Sequence, residues 1–446
     1  MSNLLEKIYE NLPWWCQNAI VSVMGIRIQR QRFGKDFHEF LKRYEARSYD
    51  QAICLRAFLR EISKSPFYRK RFADHGVNPD GNDVYAEIAK LPILTKAEVK
   101  AHISEIENPR CGDKILYAHT SGTTGSGLTF PCALETSRRQ WAVWWRYRRE
   151  HGIKFGTWHG WFGGKTVVPI SREKPPFWRI NFGGKQVMFS QYHLSGNTVK
   201  DYATEIERKR LTWLHGYPSQ ISLLSTLMLE KGITPNNKVK FITFGAENLL
   251  DSQKNSIKKA FPKAHLAQHY GLSEGVANLS EDVDGKWRID EDFAYVEFVP
   301  LDEKNLAQCR IVGTNFWNKA FPLVRYDTGD IATVERDKRG MVIRILSIDG
   351  RKEDFVDLPN GVRVGRLDHI FKELDAIAEA QIVQHANGDL EFHIVRSDKY
   401  TESSEKSLWR EIRSRIPESV KVSIIYEDRI PRTKNGKLRL VVKSDT

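Results

Sequence analysis

Cysteine is scarce in this chain and shows no order. Its five cysteines (Cys16, Cys54, Cys111, Cys132 and Cys309) are odd in number and scattered, and none forms a Cys-x-x-Cys pair. That pattern argues against a disulfide framework or a thiolate zinc site and suits a reducing compartment. No His-Glu-x-x-His cluster is present. No apolar run reaches the roughly 18 residues of a spanning helix. The N-terminus carries Glu6 and Glu10 and lacks the basic start of a secretory signal. The expected location is therefore cytoplasmic, with any membrane contact peripheral and at the inner face. Internal repeats, low-complexity tracts and recognised nucleic-acid motifs are also missing.

Apolar material is ample. Hydrophobic residues make up 41% of the 446, and charged residues 28%, a globular composition. The length suggests two or three domains. The net charge of +13 favours polyanionic partners: nucleotides, coenzyme A, anionic membranes or nucleic acid. Charge alone does not choose among them. Arg138, Arg139, Arg146, Arg148 and Arg149, interleaved with Trp141, Trp144 and Trp145, read as one amphipathic helix with a solvated basic face, not as a nucleic-acid surface. Trp14, Trp15, Ile20, Val21, Val23 and Met24 precede a basic cluster. They suit either an interfacial segment on an anionic membrane or docking on the protein's own core.

Residues 1–100 read as a largely helical leader, with Thr95 and Glu98 forming a capping box. Farther on, short apolar runs alternate with Gly-rich turns. Lys238–Glu247 and His265–Gly271 read as buried strands, with a helix over Leu249–Phe261 between them. Strand, helix, strand is an α/β pattern whose ligands gather at the carboxyl ends of strands. A break near Asp349-Gly350-Arg351 separates residues 1–349 from a small unit, 350–446. That unit reads as a strand (Ala380–Gln384), an Asn387-Gly388 turn and a second strand (Leu390–Val395). A helix carrying Leu408, Ile412 and Ile416 follows, then a strand (Val420–Tyr426).

Five segments carry chemistry. His119–Thr129 (HTSGTTGSGLT) crowds glycines and hydroxyls into one loop, suited to holding phosphate through backbone N–H groups. YGLSEG (Tyr270–Gly275) offers an aromatic face, a hydroxyl at Ser273 and a hard carboxylate at Glu274 suited to Mg²⁺. It also matches the Gly-x-Ser-x-Gly elbow of serine hydrolases, which makes Ser273 an alternative nucleophile. PLVRYDTGDIA (Pro322–Ala332) sets Asp330 where a carboxylate accepts from ribose hydroxyls. DGRKEDF (Asp349–Phe355) places Arg351 at the domain break. PRTKNGK (Pro431–Lys437) projects Lys437 from a tight Asn-Gly turn.

In this order the five segments resemble the superfamily of acyl-CoA synthetases, peptide-synthetase adenylation domains and luciferases. Within it the chain is most similar to the phenylacetate–CoA ligase branch, and more narrowly to CapK-type proteins of capsular polysaccharide biosynthesis. The narrower likeness rests on length and on Asn11–Gly34. The resemblance implies an α/β fold: a large multi-layer N-terminal adenylation domain and a small, mobile α+β C-terminal domain. It implies that a carboxylic acid is activated with ATP and Mg²⁺ to an acyl-AMP. Transfer to coenzyme A follows, or transfer to an amine or hydroxyl of a sugar or other acceptor. Ser121, Gly122, Thr123, Thr124 and Gly125 would hold the β- and γ-phosphates. Gly245, Ala246 and Glu247 (in FGAEN) would line the adenine slot, with Ala246 standing where the family has glycine. Tyr270 would stack on adenine beside Gly271. Ser273 would touch the α-phosphate, Glu274 would bind Mg²⁺, and Asp330 the ribose, with Arg351 nearby. Lys437 would be the catalytic lysine and Glu353 the hinge. Trp158, Trp161, Phe162 and Tyr217 are candidates for an acyl pocket.

Overall fold

The computed structural model describes residues 8–108, 111–119, 128–234, 236–303, 305–351, 356–357, 363–364, 367–371, 374, 376–413, 415–432 and 438–444. The chain divides into two compact units. One gathers Met1–Ile26, Gly156–Gln268 and Gly350–Thr446, and the other Arg27–Phe155 and His269–Asp349. The fold is mixed α/β, with a large N-terminal part and a small α+β C-terminal part.

The second unit begins with helices and the hairpin β1 (Ile115–His119) and β2 (Thr129–Ala133), paired antiparallel with His119 opposite Thr129. The glycine–threonine segment Ser121–Gly125 lies between these strands and outside the described residues. The expected capping box is present. Thr95 N–H donates to Glu98 Oε2 at 2.8 Å, and Glu98 N–H returns to Thr95 Oγ1 at 3.2 Å. It opens the helix Lys96–Ala101.

In the first unit, β3 (His159–Phe162), β5 (Gln186–Phe189), β6 (Trp213–Gly216), β7 (Phe241–Phe244) and the start of β8 (His265–Gly271) run parallel. Their order is β5-β3-β6-β7-β8, and β4 (Trp178–Asn181) lies antiparallel at the β5 edge. Strands this short and this apolar are buried on both faces. Val187, Phe189, Leu214, Ile242 and Phe244 pack against Ile221, Leu224 and Met228 of the helix Pro218–Glu230 and Ile257 of the helix Asp251–Ala260. Pro218 starts its helix at the position where a missing N–H costs nothing. The strands all end on one edge, which carries Ser190-Gln191, Tyr217-Gln220 and Gly245-Glu247.

The remaining strands of the second unit are β9 (Asn278–Glu281), β10 (Trp287–Ile289), β11 (Tyr295–Asp302), β12 (Asn305–Thr314), β13 (Tyr326–Arg336) and β14 (Val342–Arg351), in the order β9-β10-β14-β13-β12-β11. The last residues of β8 pair with β9, His269 opposite Ser280. Beyond Gly350 come the two-residue strands β15 (Val356–Asp357) and β16 (Arg363–Val364). A sheet of β17 (Ile377–Gln384), β18 (Leu390–Arg396), β19 (Val422–Tyr426) and β20 (Val441–Lys443) follows, in the order β19-β18-β17-β20. The expected strands and helix are present, but the helix ends at Arg413, so that Ile416 lies beyond it, and the last strand starts at Val422 rather than Val420; Leu408, Ile412 and Ile416 are all buried. Strand β20 was not anticipated.

One expectation is overturned. On the helix Leu134–Glu150 most of the basic face is not solvated: Arg139, Arg146 and Arg148 are buried, Arg138 is half-buried, and only Arg149 of the five is exposed. Arg146 donates to Asp290 at 2.6 Å and to Asp292. Arg139 lies 3.7 Å from the Trp317 ring centre and 4.0 Å from that of Phe40. Burial pushes the Arg148 guanidinium down to about 10. The buried part of this arginine–tryptophan stretch is internal structure. The helix Trp14–Arg32 docks on the first unit through part of its surface and leaves several large apolar residues exposed. Ser22 and Asn18 hydrogen-bond the backbone of Ile180, while Trp14, Trp15, Ile20, Val23 and Met24 are exposed. Among the described residues no helix is long and apolar enough to cross a membrane.

Candidate active site

At the end of β7 the chain turns through Gly245 into Ala246, whose φ is +71°. L-residues rarely adopt that left-handed conformation, and glycine takes it without cost. Ala246 thus has the backbone of the glycine that the resemblance expected there. The turn presents Glu247. One carboxylate oxygen accepts from Ser219 N–H at 3.2 Å, at the start of the helix Pro218–Glu230. The other accepts from Leu438 N–H at 2.9 Å. Burial raises the Glu247 carboxyl above its ordinary range, and these N–H donors and Arg432 offset that rise only in part.

Leu438 follows Lys437, which lies outside the described residues along with Thr433 to Gly436. The segment before it is also anchored in this unit. Arg429 donates to the carbonyls of Gln191 and Tyr192 at 3.0 and 3.2 Å. Arg432 pairs with Glu379, and both side chains are buried. Arg429 and Leu438 are therefore held at the ends of β5 and β7.

In the other unit, Tyr270 on β8 donates its hydroxyl to Asp330 Oδ2 at 2.6 Å. Asp330 is 6% exposed and Glu274 8%. Asp330 is positioned by a turn of its own making: its N–H donates to Thr328 Oγ1 at 3.1 Å, and Gly329 sits at φ +75°. Burial pushes the Tyr270 hydroxyl well above its ordinary value, and the nearby carboxylates of Asp330 and Glu274 push it the same way. Glu274 is a buried hard carboxylate of the kind that would suit Mg²⁺ completed by substrate phosphates. At Gly271 an added Cβ would meet Asn278 Oδ1 at 2.8 Å, which explains the glycine.

Ser273 is exposed on a turn closed by Gly275 N–H to the Leu272 carbonyl at 3.1 Å, and the chain then enters β9. No helix follows it, so the strand–helix elbow of a serine nucleophile is absent. Arg351 ends β14, one residue past Gly350 at φ +88°. Ser121 to Gly125 and Glu353 fall outside the described residues. Of the acyl-pocket candidates, Phe162 is a correction: it is 3% exposed and stacks on Phe189 in the core, with ring centres 4.7 Å apart. Sequence reading missed Gln191, Ser219, Gln220 and Arg432. The Tyr-Pro-Ser-Gln run after β6 was the available signal, a strand end leading into a helix start.

The CapK C-terminal domain family matches residues 359–444. Protein CapK of Staphylococcus aureus is 26% identical over 463 aligned residues, covering 99% of this chain and 100% of that protein. Phenylacetate-coenzyme A ligase of Thermus thermophilus is 23% identical over 467, covering 91% and 98%. A 2-hydroxyisobutyryl-CoA ligase crystallised in the postadenylation state with 2-HIB-AMP superposes with a TM-score of 0.65 at 16% identity, covering 88% of this chain and 89% of that one. That likeness shows the fold. Along nearly its whole length the chain is thus similar to CapK and to phenylacetate-coenzyme A ligase, and it shares the fold of 2-hydroxyisobutyryl-CoA ligase.

Proposed function

We propose that this protein activates a carboxylic acid with ATP, releasing pyrophosphate and forming an acyl-AMP, and then passes the acyl group to coenzyme A. The observation that carries the reading is the bond from Leu438 N–H to Glu247. It ties the residue after Lys437 to the segment assigned to the adenine slot. The relatives named phenylacetate-coenzyme A ligase support the same chemistry.

A substrate carboxylate oxygen attacks the α-phosphorus, and the bond to the departing pyrophosphate breaks. Such chemistry needs positioning and charge neutralisation more than covalent help. Glu247 and Gly245 to Ala246 would border the purine. Tyr270 would stack on it beside Gly271, Asp330 would accept from the ribose hydroxyls, and Ser273 would donate to the α-phosphate. Arg351 would lie near the ribose. Ser121 to Gly125 would hold the outer phosphates, and Lys437 would neutralise charge at the reacting centre. When bound with ATP, Mg²⁺ supplies positive charge at the phosphates, held through Glu274. The exposed Trp14, Trp15, Ile20, Val23 and Met24, with Arg27 and Arg30 also exposed, would suit peripheral contact with an anionic membrane.

ATP–pyrophosphate exchange, screened with aryl, fatty, hydroxy, amino and sugar acids, tests the reading. Acid-dependent exchange is the expected result. No exchange with any acid, in protein that binds no ATP, overturns it. A CoA-dependent, hydroxylamine-sensitive product identifies the thioester, and a product formed only with an added sugar or amine moves the second step to that acceptor.

A further inference from the structure

Gln191 and Gln220 follow the carboxyl ends of β5 and β6 and flank the end of β3, which lies between those strands. They are 3% and 1% exposed. Gln220 Nε2 donates to Gln191 Oε1 at 2.9 Å. That single link leaves Gln191 Nε2 and Gln220 Oε1 buried with no protein partner. Turning both amides over exchanges the atoms but still leaves one spare donor and one spare acceptor. Backbone groups do not absorb them: the Gln191 carbonyl is taken by Arg429, and Gln220 N–H donates to the Tyr217 carbonyl at 3.1 Å.

Buried amides are normally paired, and a matched orphan donor and acceptor point to something absent from the protein itself. The place is the ligand edge of the parallel sheet, one residue from Ser219, whose N–H holds Glu247. The orphans are also complementary. A hydroxyl, or the carbonyl and N–H of a carboxamide, accepts from one and donates to the other. An aryl or alkyl group leaves both unmet.

We infer that the acid activated by this protein carries a hydroxyl or carboxamide on its acyl portion, bound jointly by Gln191 and Gln220. The inference rests on the adenylation reading and adds the substrate class to it.

Its test is ATP–pyrophosphate exchange on the full chain with matched acids: 3-hydroxybutyrate against butyrate, mandelate against phenylacetate, succinamate against pentanoate. The expected result is a preference in kcat/KM of roughly 10²-fold or more for at least one polar member, because a site built to hydrogen-bond a group rejects the analogue lacking it. In Gln191→Leu/Gln220→Leu, which removes both partners together, the ratio should fall to about one. Equal or better use of the apolar members by the unaltered protein overturns the inference and leaves adenylation standing. So does a polar preference that survives the double substitution, which would leave the amides holding only water. Exchange with no acid of any kind overturns the adenylation reading itself. The unaltered protein decides the first point even if the variant fails to fold.

Discussion

Ala246 shows how a single residue records the constraint on its site. An alanine at φ +71° carries roughly 1 kcal/mol of steric cost that glycine does not. Ala246→Gly should therefore leave stability unchanged or raise it by up to about 1 kcal/mol, against the usual loss for alanine to glycine. Urea unfolding measures this, and a clear destabilisation would remove the strain argument. Tyr270 makes a sharper case. Its hydroxyl is the 2.6 Å donor to a buried Asp330, so Tyr270→Phe removes one hydrogen bond and leaves the ring. If Asp330 receives ribose in that orientation, KM for ATP rises about tenfold, the net weight of one such bond. An unchanged KM would detach Asp330 from the nucleotide. Lys437→Ala should slow adenylation by roughly 10²–10³, the loss of one preorganised charge, in single-turnover acyl-AMP formation. A normal rate in that variant would cancel its assignment.

Elements were legible in proportion to how locally their sequence decides them. β7, β8 and the helix Asp251–Ala260 were readable because apolar runs and turn residues alternate within one stretch of chain. β20 escaped because Val441–Lys443 is three residues long and its partner β17 lies far back in the chain. The helix Leu134–Glu150 was placed correctly, but its arginine face was misread for a physical reason. The carboxylates that bury Arg146 stand 144 and 146 residues away. Arg146→Leu should destabilise the protein by about 3–5 kcal/mol, because Asp290 and Asp292 are left buried without their cation. Changing both aspartates to asparagine in the same variant should restore part of that loss in urea unfolding. If Arg146→Leu costs nothing, the cluster is not the cross-brace it resembles. For the helix Trp14–Arg32, replacing exposed Trp14 and Trp15 with serine should weaken sedimentation with anionic liposomes. Equal sedimentation would reassign the exposed tryptophans to another role.

For the whole molecule, candidate site residues could be named from the sequence because each sits in a short contiguous motif. The glutamine pair was not, because Gln191 and Gln220 meet only through the order of strands in the sheet. The small C-terminal domain raises the corresponding question of movement. Its tail is held by Glu247 and by the carbonyls of Gln191 and Tyr192, which suits the adenylation step. If a second half-reaction with coenzyme A follows, as proposed, Lys437 would have to leave and these few polar contacts would break, with Glu353, just past Gly350 at φ +88°, as the proposed hinge. Proline at 353 fixes φ near −65° and restricts the residue before it, without touching any group assigned to ATP. Glu353→Pro should therefore leave acid-dependent pyrophosphate release in the first turnover nearly intact and slow acyl transfer to coenzyme A by tenfold or more, roughly the penalty of a blocked gating step. Rapid-quench measurement of acyl-AMP and acyl-CoA separates the two. If both steps fall together, the substitution has damaged the fold or the hinge lies elsewhere. If neither falls, the domain does not turn at this point.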